Sequence, residues 1–321
     1  MKSIDVTAIG ELLIDFTENG ISEQGNPVLE VNPGGAPCNV LSMLSRLGRK
    51  TAFVGKVGDD MFGRQLRQAI SEAGIETKGL VTDTLVNTTL AFVHTKPDGD
   101  REFSFYRNPG ADMMLSPEEL DKSLIEGCRI FHFGSLSMTH EQCRAATKKA
   151  IDLSENAGAL LSFDPNLRAP LWESLDEARR QISYGMQHCH ILKISDNEIQ
   201  WFTGIDDFDK GIEYLQEKYG IPMILLSMGK DGSRAYANGL RVEVPGFTVK
   251  TIETTGAGDT FYACILNYVL EHKLDIRSLN EIELREMLTF ANAAAAIVTT
   301  RKGALRVMPD RKEVENLIKG V

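Results

Sequence analysis

The chain lacks the features that mark several large classes of protein. Its five cysteines are odd in number, widely spaced and without a C-x-x-C pair, which argues against both a disulfide framework and a zinc site. No segment approaches about 18 uncharged apolar residues, so no transmembrane helix is expected. The first apolar stretch is interrupted by acidic residues, which is not the pattern of a signal peptide. Reduced thiols and the missing targeting segments together predict a cytoplasmic protein.

Positive charge is also scarce, because 35 Lys and Arg residues are set against 45 Asp and Glu residues, for a formal net charge of −10. Phosphate backbones bind surfaces rich in Lys and Arg, so this balance argues against a nucleic-acid partner. The remaining composition, with 42% hydrophobic and 25% charged residues, is typical of a globular protein. We therefore expect small-molecule partners, with neither a nucleic acid nor a membrane among them.

Short apolar strand candidates alternate with amphipathic helix candidates along most of the chain. Continuous apolar strands separated by helices indicate an α/β fold, in which helices cover both faces of a mostly parallel sheet. We predict that residues 1–321 form a single domain of this kind. The predicted strands are 6–9, 51–54, 130–133, 160–163, 190–193 and 223–227, and the predicted helices are 38–47, 62–73, 141–156, 210–219, 259–272 and 284–299.

Two stretches, residues 12–32 and about 86–110, depart from this alternation. The first contains strand-like segments with polar breaks, and the second contains a predicted hairpin of 88–95 and 101–106 around a turn at 97–100. We expect these stretches to form a small sheet that projects from the main domain. Such a sheet is either a lid over a site or an oligomer interface, and the sequence leaves both open.

The most informative segment is Thr-Thr-Gly-Ala-Gly-Asp at 254–259, which leads directly into the predicted helix 259–272. Glycines at a helix start leave backbone N–H groups unobstructed, so Gly256, Ala257 and Gly258 form a candidate anion cradle. Asp259 beside it can take the proton from a hydroxyl that attacks a phosphoryl group, or can simply cap the helix. The segment lacks the third glycine of a dinucleotide loop, and the chain has no Walker-type phosphate loop.

A second glycine pair, Gly34 and Gly35, precedes the predicted helix 38–47. Paired glycines let a ligand approach the backbone closely. Asn39, a few residues later, offers both a donor and an acceptor to the hydroxyls of a sugar. Because Gly-Gly before a helix is also a common turn, the pair by itself leaves both interpretations open.

Together the two glycine segments resemble the two signatures of the ribokinase-like (PfkB) carbohydrate kinase family. The first reads Gly-Gly-Ala-Pro-Cys-Asn at 34–39 and the second is the segment at 254–259, with further similar segments at 55–63 and 300–304. The similarity covers nearly the whole chain in the expected order. It implies a three-layer ribokinase-like fold with a β-sheet lid, ATP-dependent phosphorylation of a small sugar with Mg²⁺, and a homodimer formed through the lid.

Four further segments, at 10–16, 35–39, 106–112 and 164–168, resemble bacterial members of the family that phosphorylate fructose. Other acceptors use the same cradle and base, namely aminoimidazole riboside, 2-keto-3-deoxygluconate or a nucleoside. A catalytically silent sugar sensor is a further alternative. The resemblance implies sugar contacts from Asp15, Gly34, Gly35, Asn39 and Arg107 and a phosphoryl contact from Arg168, although either arginine can instead be a surface ion-pair partner.

For the nucleotide and the cations the resemblance implies a third group of residues. Glu198 is expected to act through magnesium-bound water, and Ser195 stands where the family often has Asn. A potassium ion beside the cradle is also implied, although Glu253 replaces the Asp of many members and Val307 stands where a hydroxyl residue is common. The nucleotide residues are Lys193, Ser195, Glu198, Ser227, Gly229, Gly232 and Asn292, and the potassium ligands are Glu253, Thr255, Val298, Arg301 and Gly303.

Overall fold

The structure is a computed structural model that describes residues 2–95 and 101–320, so the predicted turn at 97–100 lies outside the described residues. Within the described ranges the strands form one sheet of nine strands and one of four. In chain order the strands are β1 (Ile4–Ile9), β2 (Leu13–Ile21), β3 (Pro27–Gly34), β4 (Thr51–Gly58), β5 (Ile75–Asp83), β6 (Leu90–Thr95), β7 (Arg101–Tyr106), β8 (Cys128–Gly134), β9 (Leu160–Asp164), β10 (Ile191–Ser195), β11 (Met223–Ser227), β12 (Ser233–Ala237) and β13 (Leu240–Val244).

The nine-stranded sheet has the order β13-β12-β11-β10-β9-β8-β1-β4-β5. In this spatial order, every neighbouring pair from β11 through β1 to β5 is parallel. The strands β12 and β13 add an antiparallel edge. The chain order changes direction at β1, because β4 and β5 follow on one side while β8 to β13 follow on the other. Such a switch point opens a crevice at the carboxyl ends of the strands, where open α/β sheets bind ligands.

Ten α-helices of the described residues cover this sheet on both faces. Adjacent strand residues such as Ile191 and Leu192, or Met223 and Ile224, are buried in different hydrophobic clusters, one on each face. The first cluster contains buried residues of α1, α2, α8, α9 and α10, and the second contains buried residues of α3 to α7. Helices therefore pack on both faces of the sheet, which confirms the predicted α/β fold with three layers. The helices are α1 (Ala36–Arg46), α2 (Met61–Glu72), α3 (Lys122–Glu126), α4 (Glu141–Asn156), α5 (Leu175–His188), α6 (Asp196–Thr203), α7 (Phe208–Tyr219), α8 (Ala257–His272), α9 (Glu281–Val298) and α10 (Arg311–Lys319).

The four-stranded sheet, which we call the lid, has the order β3-β2-β6-β7. It consists of two antiparallel hairpins that are joined by the parallel pair of β2 and β6. The ring of Phe16 stacks on Phe92 at 4.7 Å and meets Phe62 of α2 edge-on at 5.7 Å. Aromatic contacts of this kind anchor the lid to the main domain, and the predicted small sheet is confirmed.

The predicted elements lie within four residues of the observed ones, and the predictions for β7, β11 and α4 match in both bounds. The predicted elements omit β5, α3, α5, α6 and α10, and they also omit β12 and β13. Arg234, Arg241 and Glu243 face outward there and form ion pairs, so these edge strands alternate in polarity and turn at Asn238 and Gly239.

All five cysteines are buried and free of disulfides. In residues 2–95 and 101–320, no group of three or more His, Cys, Asp or Glu side chains could hold a metal ion. No helix in these ranges is long and apolar enough to cross a membrane.

We predict that Gly185→Ala lowers the stability of the protein by about 1–3 kcal/mol, because the new methyl group overpacks a fully buried ring. A Cβ atom at Gly185, inside α5, would lie 2.6 Å from Cζ of Phe163. Alanine inside a helix is otherwise about 0.5–1 kcal/mol better than glycine. Gly211→Ala in α7 is the matched control, because its Cβ would first meet the flexible end of Ile199 at 3.1 Å. Equal changes in the two unfolding temperatures would contradict the prediction.

Candidate active site

The predicted anion cradle is the amino-terminal turn of α8. Gly256 is its N-cap residue with φ of 78°, a left-handed conformation that favours glycine, and a Cβ there would lie 2.8 Å from Cβ of Ala304. The amide of Thr260 makes the first helical bond, to Gly256 O at 2.8 Å. The earlier amides are therefore the orphan donors of the helix, although that of Ala257 makes a long 3.3 Å bond to Thr254 O. Such a turn attracts anions.

Asp259 occupies the third position of α8. The alternative prediction that it caps the helix is wrong, because Gly256 holds that position. Its Oδ2 accepts a 2.8 Å hydrogen bond from Nδ2 of Asn39, which joins α8 to α1. The pKa of Asp259 is raised because burial outweighs the Asn39 donor and the positive charges of Lys193 and Arg168. A carboxylate with a raised pKa accepts a proton more readily, as a general base must.

The side-chain amide of Asn39 has, among the described residues, a hydrogen-bond partner for its nitrogen but none for its oxygen. The residue is only 3% exposed, and its Oδ1 has no hydrogen-bond partner in the described part of the chain. Leaving a buried acceptor unpaired costs about 1–3 kcal/mol. A hydroxyl of a bound molecule would satisfy this oxygen while Nδ2 holds Asp259.

Lys193, near the end of β10, brings a positive charge to the cradle. Its Nζ donates to Oδ2 of Asp164 at 2.9 Å and lies 3.2 Å from where a Cβ at Gly258 would be. Burial acts to lower the pKa of Lys193, but the charges of Asp164, Glu198 and Asp259 outweigh it and raise the pKa. Burial raises the pKa of Asp164 to about 6, so both partners are charged at pH 7.

Glu198 organises the loop that carries Arg168. Its Oε2 accepts hydrogen bonds from the amide and hydroxyl of Ser195 at 2.9 and 2.8 Å, and its Oε1 accepts from the amide of Leu167 at 2.8 Å. Burial alone would raise the pKa of Glu198, but Lys193 and these donors lower it. Glu198 is therefore an ionised carboxylate at the amino terminus of α6, and Ser195 is the N-cap residue of that helix.

A cleft of about 700 Å³ adjoins the cradle, within the size range of small-molecule sites. The predicted nucleotide residues Ser227, Gly229, Gly232 and Asn292 line it together with residues of the cradle. The segment from Gly246 to Val249 forms another wall. No signal in the sequence marks that segment as part of the site, because it has no glycine pattern or charged residue.

Asn292 lines the cleft, but its described hydrogen bonds all go to the protein. Its Oδ1 accepts from the hydroxyl of Ser233 at 2.8 Å, and its Nδ2 donates to the carbonyls of Val244 and Pro245 at 3.0 and 3.3 Å. These bonds tie α9 to the β12–β13 hairpin. Asn292 therefore shapes the wall of the cleft.

The second glycine pair lies where the lid meets the main domain. A Cβ at Gly34 would lie 2.1 Å from Oδ2 of Asp15, and a Cβ at Gly35, whose φ is 123°, would lie 2.4 Å from the carbonyl oxygen of Glu11. Position 35 therefore requires glycine, because the atom it would meet is backbone and its φ is left-handed, whereas a side chain at position 34 would displace the Asp15 carboxylate. Asp15 pairs with Asn32 across β2 and β3, so the structure brings Asp15 and the two glycines together.

Arg107 follows β7 and is buried in a network with protein partners. Its Nε and Nη2 pair with Oδ2 of Asp112 at 2.8 and 2.7 Å, and its other bonds go to Oγ1 of Thr139 and the carbonyl of Leu136. Arg107 therefore forms an ion pair, as the alternative prediction had it, but the pair with Asp112 is buried and does not lie on the surface. A sugar contact from Arg107 stays a prediction.

The predicted potassium ligands lie in two neighbouring segments. Oε2 of Glu253 accepts from the amide of Gly303 at 2.9 Å, and Oε1 accepts from the hydroxyl of Thr255 at 2.5 Å. The carbonyl of Val298, at the end of α9, accepts from the amide of Arg301 at 3.2 Å. The structure therefore brings the carboxylate, the hydroxyl and the start of the 303 loop together.

Two acids of the site, Glu11 and Asp164, were missing from the predicted site residues. Glu11 is 4% exposed and follows β1 by two positions, and Asp164 is the last residue of β9. An acid at the carboxyl end of a buried parallel strand is the signal that would have found both, because ligands bind at that edge.

A helix-start anion cradle, a half-buried acid inside it and an adjoining cleft of small-molecule size define a kinase for small molecules. A family model described as pfkB family carbohydrate kinase matches residues 3–311. The chain belongs to this family.

Relatives in the family are similar to the chain over its full length. Fructokinase-2 of Solanum lycopersicum is 42% identical over 98% of this chain and 96% of its own. The fructokinase of Xylella fastidiosa, solved with bound ATP, has a TM-score of 0.90 at 31% identity and covers 100% of this chain and 99% of its own. A fructokinase of Vibrio cholerae O395, solved with fructose, ADP and a calcium ion, has a TM-score of 0.87 at 28% identity, with 98% and 99% coverage. These likenesses confirm the ribokinase-like fold.

Proposed function

We propose that the protein transfers the γ-phosphoryl group of ATP to the primary hydroxyl of D-fructose and forms fructose 6-phosphate. The observation that carries the proposal is the hydrogen bond between Asn39 and Asp259, because it places a general base and a sugar-binding amide side by side at an anion cradle. The full-length similarity to fructokinases supports fructose as the acceptor. We treat residues 1–321 as one kinase domain with its lid.

The sugar lies between the lid and the two glycine segments in this proposal. Asp15 accepts hydrogen bonds from hydroxyls, and the turn of Gly34 and Gly35 allows close approach of the ring. The buried Oδ1 of Asn39 accepts from another hydroxyl. Closure of the lid over the sugar excludes water, which limits ATP hydrolysis.

The transfer step is an in-line displacement. Asp259 takes the proton of the attacking hydroxyl as its oxygen bonds to the γ-phosphorus, and the bond to the ADP oxygen breaks. The developing charge is stabilised by the amino-terminal turn at Gly256–Gly258, by Arg168 and by Lys193. ADP leaves through the adjoining cleft.

Magnesium and potassium belong to the proposal as well. Ionised Glu198 and Asp164 are the oxygen donors that Mg²⁺ prefers, with Glu198 acting through water, and the ion would neutralise charge on the phosphoryl oxygens. The oxygens of Glu253 and Thr255 suit a monovalent cation. Rates in KCl that match those in NaCl would remove potassium from the proposal.

A cytoplasmic location completes the proposal. The five cysteines are buried and unbridged, as is usual where thiols stay reduced.

We predict that Asp259→Asn lowers kcat by about 10²- to 10⁴-fold, because the amide cannot take the proton. The amide keeps the shape of the side chain, so nucleotide binding is expected to survive. Coupled ADP release measures kcat, and calorimetry with ATP measures binding. Turnover near that of the unchanged protein would remove Asp259 as the base.

The acceptor is tested with the same ADP-release assay across D-fructose, aminoimidazole riboside, 2-keto-3-deoxygluconate and nucleosides. The proposal expects the highest kcat/KM with fructose. A higher value with another acceptor would replace fructose, and tight sugar binding without ADP would favour the silent sensor.

A homodimer through the lid is the last part of the proposal. Ile21 of β2 and Val28 and Leu29 of the neighbouring strand β3 leave 69%, 39% and 37% of their surface exposed, and large apolar side chains exposed together in this way mark candidate interfaces. We predict that Ile21→Lys gives a monomer in light scattering. Ile282→Lys on α9 is the matched control, since Ile282 is also 69% exposed. A protein that is monomeric without either change would contradict the proposal.

A further inference from the structure

Helix α1 begins without a capping side chain of its own. Its N-cap residue is Gly35, which has no side chain, and Pro37 in the first turn has no N–H group. The amide of Ala36 therefore needs an acceptor from elsewhere. Glu11, 25 positions earlier, supplies it, because its Oε1 accepts from Ala36 N at 2.9 Å.

The same residue touches the glycine turn with its backbone. The carbonyl oxygen of Glu11 lies where a side chain on Gly35 would be, 2.4 Å from its ideal Cβ. The side chain of Glu11 thus holds Ala36, and its carbonyl lies against Gly35, the preceding residue. A carboxylate near a helix amino terminus also interacts favourably with the helix dipole.

Glu11 occupies an unfavourable environment. It is 4% exposed, and burial is the main reason that its pKa is raised to about 7. The hydrogen bond from Ala36 and the charge of Arg107 oppose this rise, whereas the charge of Asp112 adds to it. Because a buried carboxyl group costs stability, a neutral residue would fill this space more favourably if packing were its only task.

The first turn of α1 leads directly to the centre of the site. Asn39, one turn beyond Gly35, donates to Asp259 at 2.8 Å. Further along, the helix has separate attachments, from Ser42 Oγ to the carbonyl of Leu305 at 2.6 Å and between Ser45 and Thr51 at 2.6 Å. Loss of the Glu11 contact would therefore release the first turn while the rest of α1 stays in place.

We propose that Glu11 is a positioning residue, which fixes the start of α1 and thereby holds the Gly34–Gly35 turn and Asn39 in place against Asp259. The inference rests on the proposed function for its kinetic consequence. It assigns to Glu11 a role in sugar binding and base orientation without direct contact with the phosphoryl group.

The kinetic test compares Glu11→Ala with Glu11→Gln. The alanine variant loses a hydrogen bond to an acidic group, so kcat/KM for the sugar is expected to fall about 10- to 100-fold, with KM for ATP within about 2-fold. The glutamine variant keeps an oxygen that accepts from Ala36, so it is expected to stay within about 3-fold of the unchanged protein. An alanine variant with normal kcat/KM, a parallel rise in KM for ATP, or a glutamine variant as impaired as alanine would overturn the proposal.

Asp207→Ala is the matched control for loss of a helix-start acceptor. Asp207 caps α7 by accepting from the amide of Lys210 at 3.1 Å, away from the residues of the site. It is expected to lower the unfolding temperature and leave both KM values unchanged. If Glu11→Ala does not fold, Glu11→Asp replaces it under the same criteria, because its carboxylate is one methylene too short to reach Ala36.

Hydrogen exchange separates this inference from the proposed function. In the free protein, a peptide that contains Ala36 to Asn39 is expected to exchange at least about 10-fold faster in Glu11→Ala than in the unchanged protein. Failure of the unchanged protein to phosphorylate fructose would refute the proposed function and leave this readout intact. Unchanged exchange in that peptide would refute the role of Glu11 as a positioning residue.

Discussion

The site depends on keeping a carboxylate ionised beside a place that must receive more negative charge. Asp259 lies in the same helical turn whose amides form the anion cradle, so in the proposed transfer the base and the phosphoryl group repel each other. Lys193, Arg168 and the dipole of α8 offset that repulsion, and the hydrogen bond from Asn39 fixes one oxygen of the base. Both positive charges come from the carboxyl ends of neighbouring strands, because Lys193 lies in β10 and Arg168 follows β9. That edge of the sheet is where open α/β folds bind ligands.

Both halves of the site start a helix on a glycine without a capping side chain. At α8 this leaves the amides of the first turn directed to an anion, and at α1 the corresponding amide is taken by Glu11. In the proposed function the two helices serve different ligands, an anionic phosphoryl group and a neutral sugar. An occupied amide at α1 suits the neutral ligand, whereas α8 has to remain open.

Much of this arrangement could be predicted from the sequence, because it depends on local pattern. The parallel sheet follows from apolar runs, and the cradle follows from Gly256 and Gly258 beside Asp259. Long-range partners could not be predicted. Arg107 looked like a ligand group in the sequence, and only the tertiary structure shows that it donates to Leu136 and Thr139, which lie 29 and 32 residues later. The position of Glu11 just after β1 marks it as a site residue, but its hydrogen bond to Ala36, 25 residues later, could not be predicted.

The parallel pair of β2 and β6 has a consequence for how the molecule assembles. Three strands and two helices, from β3 to β5, lie between β2 and β6 in the chain. Pairing of β2 with β6 therefore closes a long loop, which costs chain entropy. That loss is small only after the intervening sheet and helices have formed. The pairing that completes the lid is thus expected to form late, after α1, β4, α2 and β5 have folded between its two hairpins.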